Sequence, residues 1–149
     1  ILEGVGSIGN RYCSPGATNS TGVGSTISAA GSGNASQNNL ALVAESLPLN
    51  AFGCFLASQA QGFVANPGGS DGNLCLGGAI GRYVGPGQVL NSGATGSFSL
   101  ALDLTNTPQP TGGVAVQAGE TWNFTTWYRD AVGGSATSNF TDGVEVTFQ

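Results

Sequence analysis

The sequence predicts an all-β protein: a single antiparallel β-sandwich, jelly-roll or immunoglobulin-like in topology, with many Gly-rich turns. Three observations carry this. Apolar residues recur with period two, the repeat that sends successive side chains to opposite faces of a strand. Turn-forming residues punctuate the chain densely, and glycine supplies 26 of 149 residues, a surplus suited to tight turns in which positive φ costs glycine little. No window of helical length shows a 3.6-residue apolar repeat.

The strands follow in order. Asn39 to Leu47 and Phe52 to Ser58 are almost continuously apolar, as central strands buried on both faces are, and Pro48-Leu49-Asn50 reads as the turn between them. Ser97 to Leu104 alternates, placing Phe98, Leu100, Leu102 and Leu104 on one face. Val114 and Val116 form a shorter version. Val144, Val146 and Phe148 alternate with Glu145 and Thr147. Turns are expected at 66–72, 85–87, 107–113 and 133–135, where Gly, Pro, Asn, Asp and Ser cluster. The spacing gives roughly eight to ten short strands in two packed sheets.

A chain of 149 residues, 40% hydrophobic and 7% charged, fits one domain with a real core and not a disordered segment. Residues 11–149 are assigned to the sandwich, and residues 1–10 to an N-terminal segment acting as a donor strand or linker. Lys, His and Met are absent, and the cations are Arg11, Arg82 and Arg129. A formal net charge of −5 provides no basic track for phosphates, which argues against nucleic acid as a partner. A surface rich in Ser, Thr, Asn and Gln suits an extracellular or cell-surface location and leaves little charge to hold copies apart. No apolar run reaches the length of a membrane span. The first residues carry no basic region followed by an apolar core, so the chain is expected to start after signal cleavage or after another domain.

Of the three cysteines, Cys13, Cys54 and Cys75, one is left over if a single bridge forms. Their spacing matches no zinc pattern and no His completes one, so the default is a structural disulfide in an extracellular protein. Catalysis finds no support: without His or Lys there is no conventional activated nucleophile, and no pair stands out among the eight acids for glycoside hydrolysis. The chain is read as not an enzyme.

Several stretches carry a resemblance. These are Arg11-Tyr12-Cys13 followed by Asn19-Ser20-Thr21-Gly22, Gly62-Phe63-Val64 through Leu74-Cys75-Leu76-Gly77-Gly78, and Ile80-Gly81-Arg82-Tyr83. Gly119-Glu120-Thr121-Trp122-Asn123-Phe124, Trp127-Tyr128-Arg129-Asp130 and Ser138-Asn139-Phe140-Thr141-Asp142 complete the set. In this order they resemble the uncharacterised β-rich C-terminal domain of large secreted planctomycete-type bacterial proteins, over nearly the whole chain from Arg11 onward. The resemblance implies an extracellular location, no known catalytic activity, and a Cys13–Cys75 disulfide. Cys54 departs from the pattern, which has an aromatic residue after Phe-Gly. It is then a buried free thiol or a link between subunits.

Four groups of candidate residues emerge. A strand through 122–128 puts Trp122, Phe124 and Tyr128 on one face and Trp127 on the other. One face must be core, and Trp127 is the sugar-stacking candidate if the other is open. Glu120, Asp130 and Asp142, with Asp71, Asn73 and Asp103 as a second group, are candidate calcium ligands of the hard-oxygen type. The competing account pairs Arg129 with Asp142 or Glu120. Asn19, Asn34, Asn123 and Asn139 each open an N-x-Ser/Thr triplet, and the bacterial source that the resemblance implies would leave them unmodified. Ile1, Leu2, Val5 and Ile8 would anchor the N-terminal segment, either on its own sheet or in a groove of a neighbouring copy.

These readings lead to an extracellular structural subunit that assembles with copies of itself into a filament or surface layer through strand exchange or edge pairing. The alternative is a carbohydrate-binding or surface-attachment module of a larger secreted protein, with Trp127 contacting an extracellular glycan.

Overall fold

A computed structural model describes residues 7–149. In chain order the strands are β1 (Ser7–Ile8), β2 (Asn10–Tyr12), β3 (Thr26–Gly31), β4 (Leu40–Glu45), β5 (Phe52–Ser58), β6 (Ala60–Ala65) and β7 (Asn73–Gly77). They continue with β8 (Gly81–Arg82), β9 (Leu90–Asn91), β10 (Phe98–Ala101), β11 (Thr121–Val132), β12 (Ser135–Phe140) and β13 (Gly143–Thr147). The excess over the expected number comes from two- and three-residue pieces. Two short 3-10 turns, Ala35–Gln37 and Pro67–Gly69, are the helical elements among the described residues.

The strands build the expected all-β sandwich. The smaller sheet runs β1-β3-β4-β10, and the larger runs β2-β13-β11-β5-β8, with β9 also on β5 and β12 also on β11. Every pairing of named strands is antiparallel. The chain changes sheet repeatedly up to β10, and its last three strands, β11, β12 and β13, all lie in the large sheet. No helix among the described residues is long and apolar enough to cross a membrane.

Period two decides which side chains meet between the layers. Ile27 and Ala29 of β3 and Leu40, Leu42 and Ala44 of β4 point inward from the small sheet. Phe55 and Ala57 of β5, Trp122, Phe124 and Tyr128 of β11, and Val144 and Val146 of β13 face them from the large one. Full burial of each large side chain contributes about 1.5–3 kcal/mol. Phe55 and Phe98 bridge the layers edge to face, with ring centroids 5.5 Å apart. β4 and β5 are interior strands buried along nearly all their length, as their continuous apolar runs predict.

Two expectations need correction. Val114 and Val116 form no strand: Val114 makes an isolated bridge to Thr107, and Val116 is buried with its amide donating to the Leu104 carbonyl. The apolar alternation from Ser97 to Leu104 is real, since Phe98, Leu100, Leu102 and Leu104 all reach the core, but the strand stops at Ala101. The chain there leaves the sheet edge while its leucines still face inward.

β11 is the spine of the large sheet. It turns back through Gly133 and Gly134, both at positive φ (60° and 82°), in a two-residue hairpin closed by Val132 opposite Ser135; glycine tolerates both positions of such a turn. The returning chain pairs first as β12, with Trp127 opposite Phe140, then as β13, with Phe124 opposite Val144. Between those pairs Thr125 and Thr126 face three residues, Thr141, Asp142 and Gly143. The extra residue is a β-bulge. It is held by the Thr141 amide on the Thr126 carbonyl (3.0 Å) and the Thr126 amide on Thr141 Oγ1 (2.9 Å).

The β6–β7 hairpin stands apart as a two-stranded sheet. The Cys13–Cys75 disulfide, with Cα atoms 6.4 Å apart, ties β7 to the end of β2. Beside it Tyr12 Oη donates to the Cys75 carbonyl at 2.8 Å.

Candidate functional site

The inner face of β11 is filled by core aromatics, so chemistry must sit on its outer face. Asn123, Thr125, Trp127 and Arg129 alternate onto that face. Register then assembles a patch that sequence order conceals. Trp127 lies between Phe140 of β12 and Cys54 of β5, and Thr125 lies next to Leu56, whose other neighbour is Arg82 of β8. Leu56, Leu76 and Phe140 form a second small core, with Leu74, Ile80 and Trp127 packed against it.

Above this floor is an open groove of about 470 Å³. Leu74 of the disulfide-tied hairpin and the Ile80–Val89 segment form its sides, and Arg82 provides its charged group. Trp127 is half-buried and also lines a shallower, more polar concavity with Gly68, Arg129 and Thr137. The Arg129 guanidinium carbon sits 5.8 Å from the Trp127 ring centroid, within cation–π range. Of the aromatics on β11, Trp127 is the one turned away from the main core.

Cys54 is a buried free thiol at the floor of the groove, 6% exposed. Burial pushes its ionisation up, against a smaller downward pull from Arg82, so the thiol stays protonated and is a poor nucleophile.

Of the acidic residues singled out in the sequence, Asp142, Asp130, Glu120 and Asp103 have their carboxylates engaged within the chain. Asp142 Oδ2 accepts from Arg11 Nη2 (2.7 Å), Arg11 Nε (3.0 Å) and Ser14 Oγ (2.6 Å), while its Oδ1 accepts from the Ile27 amide (2.9 Å). The expected ion pair is therefore formed with Arg11 and not with Arg129. The bulge turns Asp142 inward, toward the start of β3 and the chain after β2, while Arg129 faces outward. Asp130 accepts from the Ser20 and Ala131 amides, both at 2.8 Å. Glu120 accepts from the Gln117 amide (2.8 Å) and from Trp122 Nε1 (3.2 Å), which satisfies that buried indole.

In the second acidic group, Asp103 caps Thr105 through its amide (3.0 Å) and hydroxyl (2.6 Å). Those bonds, the hydroxyl first, hold its carboxyl below the usual value. Asp71 is exposed, its amide donating to the Ser138 carbonyl, and Asn73 pairs with Ala65 in the hairpin. Among the described residues no three His, Cys, Asp or Glu side chains gather as a metal site.

Ile1, Leu2 and Val5 lie outside the described residues. Ile8 sits in β1 opposite Ala29 and packs on the main core of its own chain. β2 likewise pairs with β13, so residues 7–10 are part of the two sheets. Of the four N-x-Ser/Thr triplets, Asn19, Asn123 and Asn139 are buried and bonded through their side chains, and Asn34 is exposed.

The chain matches no family model, no curated protein and no solved structure. The geometry of this molecule must carry the functional argument. Sequence reasoning found Trp127 because alternation isolates it from Trp122, Phe124 and Tyr128. It missed Arg82, Leu56, Leu74, Ile80 and Phe140 as its surroundings. Four strands and a loop bring these together, and no local pattern encodes that lateral register.

Proposed function

We propose that this domain is an extracellular attachment module that binds a glycan through the outer face of its large sheet. One observation carries the reading: Trp127 points away from the main core and lines an open groove. A half-exposed indole offers a flat apolar surface for the C–H face of a sugar ring while its rim stays wet. The disulfide supports the extracellular part, since such bonds persist in oxidising compartments. Affinity electrophoresis in gels containing a panel of polysaccharides tests it. Retardation by at least one glycan, reduced about tenfold in apparent affinity by Trp127→Ala, is expected. Unretarded wild-type protein across the panel overturns the reading.

A second reading, self-assembly by edge pairing, is favoured by β10. It ends the small sheet, and its Phe98–Ala101 segment carries no charged side chain to discourage a further strand. Electron microscopy of the isolated protein, with and without a calcium chelator, tests this reading. Ordered polymers support it, and their loss on chelation would bring the acidic loops in as metal sites. Single particles under both conditions remove it.

A further inference from the structure

Resting on the attachment reading, we infer that the Trp127 face selects an acidic polysaccharide, one whose sugars carry carboxylates. The chain has a formal net charge of −5 and only three cations. Among the described residues Arg11 is the one held in an ion pair. The other two, Arg82 and Arg129, are both exposed and both border Trp127: Arg82 lines the groove, and Arg129 lies against the indole. Two unpaired guanidiniums on one patch of an acidic protein form a local positive field with no carboxylate committed to it.

The placement of the two arginines bears on the ligand's length. Arg82 lies opposite Leu56, which is opposite Thr125, four residues along β11 from Arg129. Sheet dimensions then separate the two backbone positions by roughly 15–17 Å, with Trp127 between them. Arg82 borders Trp127 in the groove and Arg129 borders it in the second concavity, so a polymer with regularly placed carboxylates reaches both arginines while one ring stacks on Trp127. Guanidinium forks match carboxylate geometry, and the apolar groove walls lower the local dielectric and strengthen the attraction.

The test compares sodium polygalacturonate with the same polymer after reduction of its carboxyl groups, by isothermal titration calorimetry on the intact chain. Polygalacturonate is expected to bind with an affinity that falls as salt rises from about 50 to 500 mM. Arg82→Gln and Arg129→Gln should each weaken it about fivefold, with unchanged melting temperatures. The reduced polymer should bind more weakly and respond to neither substitution. Equal binding of both polymers, insensitive to salt and to the arginines, overturns the acidic preference while leaving glycan attachment standing. Failure of both polymers together with arginine-dependent binding of poly-glutamate overturns it in favour of an acidic peptide. Binding of neither probe overturns it outright, and the polysaccharide panel then decides the attachment reading by itself.

Discussion

Asp142 and Arg11, 131 residues apart in the chain, form a two-bond ion pair in which the carboxylate is buried and the guanidinium is half in water. The same carboxylate holds the Ile27 amide at the start of β3 and the Ser14 hydroxyl after β2. One side chain, aimed inward by the bulge at Thr141–Gly143, thus connects the two sheets at one end of the sandwich.

That arrangement predicts an unequal response to mutation. Asp142→Ala leaves the buried Ile27 N–H without an acceptor and removes the carboxylate oxygen that accepts both Arg11 hydrogen bonds, at a cost of about 2–4 kcal/mol. Arg11→Ala should cost about 1 kcal/mol, because the exposed guanidinium is already screened by solvent and Asp142 keeps its other donors. Urea unfolding of the two variants measures the difference. A larger loss from Arg11→Ala would show that the carboxylate is not the organising group.

Much of the sandwich was legible in the sequence, and the reason is local. β4 and β5 announce themselves by continuous apolar runs, and Trp122, Phe124 and Tyr128 separate from Trp127 because a strand alternates whatever surrounds it. The bulge was not legible: one extra residue in Thr141–Gly143 leaves no compositional trace, yet it turns Asp142 toward Arg11 and away from Arg129. Val114 and Val116 misled for a related reason. Two alternating valines supply the pattern of a strand but not a partner edge, and the long segment between β10 and β11 uses Val116 to plug the core while Val114 stays exposed. The groove around Trp127 depended on lateral register across β12, β11, β5 and β8, which is a tertiary property.

The disulfide closes a loop with a sequence separation of 62 residues. Restricting the unfolded chain by that much corresponds to about 4 kcal/mol in the loop-entropy treatment. The paired variant Cys13→Ser/Cys75→Ser should lower unfolding free energy by about 2–4 kcal/mol. Because β6 and β7 pair only with each other, their amides should lose hydrogen-exchange protection more than those of β4 or β11. Uniform loss across all strands would mean that the hairpin is not a separately opening unit.

Alkaline conditions should unfold this protein early. Burial raises the ionisation of Tyr12, Tyr83 and Tyr128 above the ordinary phenol value, with Glu145, Asp103 and Asp130 adding smaller upward pushes to the respective groups. Below about pH 10 these phenols are protonated in both states, and the preference for the folded form is fully present. As pH rises past that value the unfolded chain releases protons that the folded chain retains, so stability falls with increasing pH. Thermal melting between pH 8 and 12 should show the decline beginning near pH 10, and Tyr83→Phe should reduce its steepness. A melting temperature flat through pH 11 contradicts the burial of these phenols.

Cys54 provides a reporter for the groove floor. Its thiol is buried opposite Trp127 in register, and desolvation keeps it protonated. Alkylation by iodoacetamide at pH 8 should therefore be at least about tenfold slower in the folded protein than in urea. Trp127→Ala removes the neighbouring ring and should raise the folded-state rate without approaching the unfolded one. Raising the pH should accelerate the folded reaction later than the unfolded reaction, because the folded thiol ionises at the higher pH. Alkylation equally fast in both states would place the thiol at the surface, and the packing of Leu56, Phe140 and Trp127 around it would have to be redrawn.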